Sequence, residues 1–538
     1  MSLRRYGWGL VAVVLVGTVQ VVAGQSNPKG ESKPAPATTP GVTPPVLEQG
    51  QKTIENNPLL TQKQEDVLLG DEQNILQFVS KDTQLAIKHP VKSLFLSREQ
   101  VNKELREKFD EDKGNKRMQR SELVLKKFGL LDQDFHLRPF LLSLLTEQIA
   151  GFYDNKTKTM NLLNWVGIDE QKPVMAHELT HALQDQYVEL EKWQDPEPEA
   201  VAKNVSEDNL HIRTDEAGTV REAVLEGQAM VSFADKLLHD NGFGDKTLKD
   251  VPEIGEKLTA GAGDMGDSPV LARAPLVLQQ SLLFPYTSGL AFEQAVLVAG
   301  GTQKAFKGML DSPPNSTMEI LHPQAYLNHV AAPVMLLPDI HPAMKAAGYE
   351  PYDVGVMGEL DVRMTAELFG GKPLADALAP AWDGGIYYAA QRSAASEAEK
   401  ATTASIAMLY LSRWKNEASA RSFMRVFEEE LPRQYNGLKR RNADEQSGDE
   451  RVFSTGEGDV LLAQHGNTVW VSEGFDLALA RKLETQIESV QGTGPVRMAG
   501  AVCSMQPALN RQNLPSGELM GGLVRMFAEM GVMKVGLR

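Results

Sequence analysis

Residues 174–183 read VMAHELTHAL, in which His177 and His181 are four positions apart and Glu178 follows the first histidine. Positions i and i+4 lie on one face of an α-helix, so a helix would bring both imidazoles to a single zinc ion. Pro173 suits the first turn of that helix, and the surrounding apolar residues can bury it. This stretch predicts a buried helix carrying two zinc ligands, with Glu178 placed as general base on a zinc-activated water.

The third ligand distinguishes classes of zinc hydrolase. One class, with a third histidine six residues after the second, requires Gly at the position occupied here by Gln184, and is excluded. Residues 219–235 read TVREAVLEGQAMVSFAD, in which Glu222 and Glu226 are four apart on one helix face. Either could be the metal ligand with the other beside it, although Glu222 is expected to be a solvated helix carboxylate.

The composition of the chain limits which side chains could bind a metal and which partners the protein could bind. The only cysteine is Cys503, so an intramolecular disulfide and a cysteine-based metal site are excluded, and a metal must use histidine and carboxylate ligands. The chain has 538 residues and a formal net charge of −16, which argues against nucleic-acid binding and gives no support for docking on anionic membranes. With 42% hydrophobic and 23% charged residues, it is an ordinary globular chain.

The N-terminus has the features of an export signal. Residues 1–24 contain Arg4 and Arg5, then an apolar run over 10–22 and a small-residue cleavage site, which favours a cleaved signal peptide over an uncleaved anchor. A lipoprotein anchor is excluded because no cysteine follows the apolar run. Residues 25–55, rich in Pro, Ser and Thr, are predicted to form a disordered tether. We expect an exported, secreted or periplasmic protein without a stable membrane span after signal cleavage.

Periodicity predicts an α+β fold in two parts. Residues 56–345 are expected to form a mainly helical domain with a small β-sheet, and residues 346–538 a smaller α+β accessory region. Helical patterns cover residues 64–150, 173–192, 219–239 and 276–299, and a hairpin is predicted at 151–163. Further along, SIAMLYLSRW predicts a strand, SARSFMRVFEEEL a helix and VLLAQHGNTVWVSEGF a hairpin. The polar stretch 203–216 is a mobile lid or a solvated loop, and the loop is favoured.

HELTH at 177–181 with EGQA at 226–229 resembles the gluzincin, or thermolysin-like, type of zinc metallopeptidase. More narrowly, five segments within about residues 90–335 resemble a group of uncharacterised exported bacterial proteins classed as zinc-dependent peptidases; they are GFYDNKTKTMNLL, HELTHALQDQ, LEGQA, FPYTSG and PPNSTMEILHP. The resemblance implies a zincin-like metallopeptidase domain at 56–345 and favours Glu226 as the third Zn²⁺ ligand.

The same resemblance implies further parts of an active site. Gluzincins hold the substrate as a strand against a sheet edge before the HExxH helix. That edge would lie either at Ala150, Gly151, Phe152 and Tyr153 or at Met160, Asn161 and Leu162. A donor to the oxyanion would be Tyr286 in FPYTSG or His322 in STMEILHP, unless these are a core aromatic and a structural loop histidine.

One position departs from the family pattern. Thermolysin-like enzymes have an aspartate four residues after the glutamate ligand, where this chain has Met230, so another partner such as Glu222 or Asp215 would orient the ligand histidines. We therefore expect an exported zinc metallopeptidase acting on a peptide or protein. The alternative is a zinc-containing, non-catalytic binding or scaffold protein with a degenerate peptidase domain. Hydrolysis of a non-peptide amide would use the same residues.

Overall fold

A computed structural model describes residues 59–109, 112–194, 204–261, 268–491 and 496–497, together with the backbone of Leu10–Val13. Apart from those four residues, the signal peptide predicted at 1–24 lies outside the described residues. The tether predicted at 25–55 lies outside them as well. Both stay predictions.

The first part of the chain is mainly helical and contains a small sheet. Its strands are β1 (Leu10–Val13), β2 (Lys92–Leu96), β3 (Gly151–Asp154) and β4 (Thr159–Leu163). Its helices are α1 (Gln62–Thr83), α2 (Arg98–Phe109), α3 (Asp112–Lys127), α4 (Leu137–Gln148), α5 (Ile168–Val188), α6 (Leu190–Trp193), α7 (Val205–Thr214), α8 (Ala217–Asp240), α9 (Glu253–Gly261), α10 (Leu276–Gln303), α11 (Met309–Asp311), α12 (Thr317–Leu321) and α13 (Pro323–Leu327).

The remaining chain contributes a larger sheet and its covering helices. The strands are β5 (Pro333–Val334), β6 (Tyr349–Val356), β7 (Trp382–Arg392), β8 (Ile406–Trp414), β9 (Lys439–Arg440), β10 (Glu450–Thr455), β11 (Gly458–His465), β12 (Thr468–Glu473) and β13 (Val496–Arg497). The helices are α14 (His341–Ala346), α15 (Glu359–Gly370), α16 (Lys372–Leu378), α17 (Glu397–Lys400), α18 (Glu417–Gln434) and α19 (Leu477–Ser489). The protein therefore has the predicted α+β fold.

The small sheet has the order β1-β3-β4-β2. Its centre is the predicted hairpin, in which Gly151 pairs with Leu162 and Asp154 with Thr159. Asp154 Oδ1 accepts the backbone N–H of Lys156 at 2.8 Å, which closes the turn with an aspartate side chain. Strand β2 runs parallel to β4, so the expectation of continuous helix over residues 64–150 is wrong at this point. Five residues are too few for their periodicity to separate a strand from a helix.

The large sheet is antiparallel, in the order β6-β7-β8-β12-β11-β10-β9, and both of its faces are covered. On β7, Tyr387 and Ala389 point into the larger hydrophobic core, whereas Ile386 and Tyr388 point into a second core on the opposite face. Every residue of β8 is buried, which explains why its first six residues, 406–411, form an unbroken apolar run. The strand, helix and hairpin predicted after residue 400 are confirmed by β8, α18 and β11–β12.

The larger core is continuous between the two parts of the chain. Phe128, which directly follows α3, packs edge-on against Tyr387 and Tyr410 of the large sheet, with ring centroids 5.6 and 5.9 Å away. Next to it, the buried Lys127 Nζ lies 2.8 Å from Glu457 Oε2, in the turn between β10 and β11. Apolar packing and a partly buried ion pair therefore join the helical part to the large sheet.

Helix α5 starts five residues earlier than its sequence suggested. It begins at Ile168 after Gly167, whose backbone N–H donates to Glu170 Oε2 at 3.3 Å. Pro173 is consequently the sixth residue of the helix rather than part of its first turn. A proline there removes one backbone donor, and the helix nevertheless continues to Val188. Residues 205–214 likewise form helix α7, so the solvated loop expected at 203–216 is wrong.

Helices α8 and α10 approach each other through two glycines. A Cβ at Gly227 would overlap the carbonyl oxygen of Gly289, and a Cβ at Gly289 would overlap the carbonyl oxygen of Ala223. Both obstructing atoms belong to backbone, so a side-chain rotation cannot relieve the overlap. This crossing places Glu226, the residue before Gly227, beside Tyr286, which lies one helical turn before Gly289.

One helical run among the described residues, Leu276–Asp311, is long and apolar enough to cross a membrane by length and composition alone. Of its most apolar window, 61% is buried inside the protein. That burial is the pattern of a core helix, in keeping with the position of α10 against α8.

Substitution of either glycine should separate the two helices. We expect Gly227→Ala and Gly289→Ala each to lower the free energy of unfolding by about 1–3 kcal/mol, the range for overpacking a filled interior. Denaturant unfolding followed by circular dichroism measures the change. Gly70→Ala is the matched control, because it lies in helix α1 with no atom within 4 Å of the added Cβ, and it should stabilise by about 0.4–1 kcal/mol. Equal effects at Gly227 and Gly70 would contradict the assigned contact.

Candidate metal centre

Three helices and the hairpin converge on one buried cluster. Helix α5 supplies His177, Glu178 and His181, helix α8 supplies Glu226, and helix α10 supplies Tyr286. The first four residues have 0% of their surface exposed, and Tyr286 has 5%. The HExxH spacing places both histidines on the face of α5 that packs against α8, as the sequence predicted.

The two histidines and Glu226 form a potential ligand set. His177 Nε2 lies 3.0 Å and His181 Nε2 3.6 Å from Glu226 Oε2, and the imidazole centroids are 4.7 Å apart. One ligand atom from each residue falls within a group no wider than 4.8 Å. Two imidazole nitrogens and a carboxylate are the donor set of many zinc hydrolases, so the side chains fit a bound Zn²⁺.

The protonation states also suit a cation. Burial, and then the neighbouring His181, hold the pKa of His177 well below its usual value. Burial lowers the pKa of His181 to about 3, against a hydrogen bond with Gln184. Both imidazoles are therefore neutral at pH 7 and retain a lone pair for a metal. Burial raises the pKa of Glu226 well above its usual value, so a cation here would offset the cost of ionising it.

Glu222 lies beside Glu226 rather than in solvent. It is 2% exposed and accepts a hydrogen bond from Gln194 Nε2 at 3.1 Å. It also hydrogen-bonds with Glu226, which lowers the pKa of Glu226 against the larger effect of burial. The expectation of a solvated carboxylate at Glu222 is wrong, because the residues after α5 cover this turn of α8. Glu226, rather than Glu222, completes the group of three ligand atoms.

Tyr286 is at the centre of the site. Its ring stacks on His177 with centroids 6.4 Å apart and planes 18° apart. Burial, followed by the charges of Glu226, Glu222 and Glu178, raises its pKa well above its usual value. The phenol therefore stays protonated, and its hydroxyl hydrogen-bonds with Glu226. It can serve as a hydrogen-bond donor inside the cluster.

Strand β3 runs alongside Glu178. A Cβ at Gly151 would lie 3.4 Å from Glu178 Oε1, so the strand backbone is close to that carboxyl group. Two residues further along, the Tyr153 hydroxyl donates to Asp185 Oδ2 on α5 at 2.8 Å. Phe152 is buried in the larger core. These residues place the predicted edge strand next to the candidate general base.

The alternative edge at Met160, Asn161 and Leu162 is wrong. These residues lie on β4, which pairs with β3 on one side and with β2 on the other. Because its hydrogen-bonding groups are used on both sides, β4 cannot accept another strand. Strand β3 pairs with β4 on one side and with β1, Leu10–Val13, on the other, so a further strand could pair with β3 only in the place that β1 occupies.

Two other predicted residues have different partners. His322 Nε2 lies 2.6 Å from Glu359 Oε1, and this hydrogen bond raises the pKa of His322. Asp215 pairs with His211 Nε2 at 3.1 Å and accepts the backbone N–H of Val356. The structure therefore does not bring His322 into the cluster, and it uses Asp215 to hold helix α7 against β6.

Sequence reasoning missed the partner of His181. Its Nδ1 lies 2.8 Å from Gln184 Oε1, three residues later on α5. The sequence does place Gln184 three residues after His181, on the same helix face. That position, however, was used only to exclude the class of zinc hydrolase with a third histidine ligand. Neighbouring side chains of this kind set the orientation of a ligand histidine.

Comparison of the chain with family models, curated proteins and solved structures finds no match.

The raised pKa of Glu226 has a measurable consequence in the metal-free protein. Above about pH 4.3, the pKa of a free glutamate, the unfolded chain loses a proton that the folded chain keeps, so stability falls as pH rises toward the folded pKa. Glu226→Gln removes this contribution. We expect the metal-free variant to lose less stability than the wild type between pH 5 and pH 8, measured by denaturant unfolding with a chelator present. Glu429→Gln, at an exposed position of α18, is the control and should follow the wild type; identical pH profiles for Glu226→Gln and the wild type would disprove the assignment.

Proposed function

We propose that the protein is an exported zinc-dependent metallopeptidase of the gluzincin type. The observation that carries this proposal is the convergence of His177, His181 and Glu226 in one buried group, with Glu178 adjacent. A bound Zn²⁺ would polarise the scissile carbonyl and lower the pKa of a water molecule. The substrate class proposed is a peptide or protein, and the C-terminal part is proposed to be an accessory region.

Glu178 is the general base in this proposal. Its carboxylate would take a proton from the attacking water and then transfer it to the nitrogen of the leaving amine. The peptide C–N bond would then break to give a carboxylic acid and an amine. Its place beside the Gly151 backbone supports this role, because a substrate strand on β3 would bring its carbonyl close to the carboxylate. Its position on α5, directly after His177, would hold it beside a metal bound by that histidine.

Tyr286 is proposed to stabilise the oxyanion. Its hydroxyl is protonated and buried among Glu178, Glu222 and Glu226. A donor fixed in advance in a site of low dielectric is more effective than water, because it does not reorient as negative charge develops on the carbonyl oxygen. Of the two donors considered from the sequence, Tyr286 is the one that the site supports.

The outer side of β3 is proposed to bind the substrate backbone. A peptide added there would make main-chain hydrogen bonds, and its alternate side chains would face neighbouring pockets. Leu10–Val13 pairs antiparallel with this side, which supports its capacity to accept an extended segment. A substrate would take the place of these four residues, which lie within the predicted signal peptide.

Glu178→Gln tests the general base. We expect the variant to keep the zinc content of the wild type and to lose hydrolysis of a mixed peptide library by about 10²–10⁴-fold, the usual contribution of general acid–base catalysis. Zinc is measured by atomic absorption and cleavage by mass spectrometry. Glu191→Gln, at an exposed position on α6, is the matched control and should cleave like the wild type. Activity retained in Glu178→Gln would rule out this role.

Tyr286→Phe tests the oxyanion donor separately from packing, because the ring that stacks on His177 is kept. We expect kcat to fall by about 10²–10³-fold, the range for removing one oxyanion donor, with KM and zinc content little changed. A rise in KM at constant kcat would instead assign Tyr286 to substrate binding.

One observation favours the alternative function. His177, Glu178, His181 and Glu226 are all fully buried, so a peptide reaches them only after neighbouring residues move. A zinc-containing, non-catalytic scaffold would need no such opening. Equal zinc content without cleavage in either the wild type or Glu178→Gln would select the scaffold.

A further inference from the structure

Gln184 contacts both of the helices that supply the candidate metal ligands. Its Oε1 lies 2.8 Å from His181 Nδ1 on its own helix α5. Its Nε2 lies 3.1 Å from the backbone carbonyl oxygen of Leu225 and 2.9 Å from Gln228 Oε1, both on α8. All of these side-chain atoms are fully buried, so water does not compete for them.

Gln228 in turn contacts two further backbone carbonyls. Gln228 Nε2 lies 2.9 Å from the carbonyl oxygen of Ala305 and 3.1 Å from that of Phe306, in the turn that follows α10. These oxygens only accept hydrogen bonds, so the nitrogen of the amide must face them. The oxygen of Gln228 must then face Gln184 and accept from it.

The same reasoning fixes Gln184 and, through it, His181. A flipped Gln184 amide would set its oxygen against the Leu225 carbonyl and against the Gln228 oxygen. With its nitrogen facing those two acceptors, Gln184 presents its oxygen to His181 Nδ1. That nitrogen must carry the proton, since an oxygen cannot donate to it.

We propose that Gln184 and Gln228 form an amide relay that fixes His181 as the Nδ1–H tautomer and so leaves Nε2 as a preformed metal-ligand atom. His181 Nε2 is buried, has no hydrogen-bond partner and faces Glu226 Oε2 at 3.6 Å. The inference rests on the proposed metal site and adds two positioning residues to it. Neither glutamine touches the ligand atoms.

The relay takes the place of the histidine-orienting aspartate that thermolysin-like enzymes have at the position of Met230. A ligand histidine is commonly oriented by a carboxylate or a backbone carbonyl on its second nitrogen. Here the neutral amide of Gln184 does this. The Leu225 carbonyl holds that amide directly, and the Ala305 and Phe306 carbonyls hold it through Gln228. An uncharged partner orients the ring without adding a further buried negative charge to a group that already contains three glutamates.

Zinc affinity tests the relay without any assay of hydrolysis. We expect Gln184→Leu to bind Zn²⁺ about 10–100-fold more weakly than the wild type in a chelator competition, the cost typical of losing an orienting partner. Gln184→Glu keeps an acceptor for Nδ1–H but sets its second oxygen against the Leu225 carbonyl and Gln228 Oε1, so it should recover only part of the affinity. Gln186→Leu is the matched control, because this glutamine lies on the same helix and bonds to the backbone at residues 88 and 89 instead. Its zinc affinity should equal that of the wild type.

The tautomer itself is read by NMR of the metal-free protein with ¹⁵N-labelled histidine. In the wild type, His181 should show the pattern of a protonated Nδ1 and an unprotonated Nε2, assigned by its loss in His181→Ala. Gln184→Leu should remove this pattern. If Gln184→Leu does not fold, Gln228→Met replaces it as the test. It removes the second link at similar volume and should bind Zn²⁺ more weakly than the wild type and Gln186→Leu, and an affinity equal to theirs would overturn the relay.

The outcomes separate the relay from the proposed function. A wild type that binds no zinc refutes the metal centre, while the NMR pattern still tests the tautomer. A wild type that binds zinc with the same affinity as Gln184→Leu, or a Gln184→Leu protein that keeps protonated Nδ1, overturns the relay.

Discussion

The close crossing of helices α8 and α10 is the contact on which the site depends. Gly227 and Gly289 leave backbone against backbone, and any side chain at either position would push the helices apart. The distance between the axes sets whether the hydroxyl of Tyr286 reaches Glu226, and therefore whether the donor and the candidate ligand share one site. The short segments EGQA and FPYTSG each combine a glycine of the crossing with a functional side chain, which gives a physical reason for their composition.

The interior built around this crossing is electrostatically unusual. Burial raises the pKa of Glu226 and lowers the pKa values of His177 and His181. Each of these three groups is thereby pushed toward its neutral form, which lowers the cost of burying it in the metal-free fold. A divalent cation would reverse the balance by allowing the Glu226 carboxylate to ionise. Metal binding and folding would consequently be linked at this site.

Local patterns in the sequence were sufficient for the helix that carries HExxH, the hairpin before it and the α+β class, because each depends on residues close together in the chain. The burial of Glu222 was not predictable, since Gln194 and the turn after α5 cover it from outside its helix. The hydrogen bond between His322 and Glu359 was not predictable either, because the two residues are 37 positions apart in the chain. Asn204 was a local signal for the start of helix α7, because its side chain accepts the N–H groups of residues 206 and 207. The polar composition of residues 203–216 nevertheless led to the prediction of a loop.

The continuous core between the helical part and the large sheet limits how the enclosed centre could be reached. Separating the helical part from the large sheet would pull Phe128 away from Tyr387 and Tyr410. It would also break the ion pair between Lys127 and Glu457. Each aromatic side chain exposed in this way costs roughly 1.5–3 kcal/mol, before the loss of the ion pair. For the proposed peptidase, a bulky folded substrate would require this separation of the two parts, whereas an extended segment paired with β3 in place of β1 would require only local movement. The stiffness of the shared core would therefore favour unfolded or terminal segments as substrates.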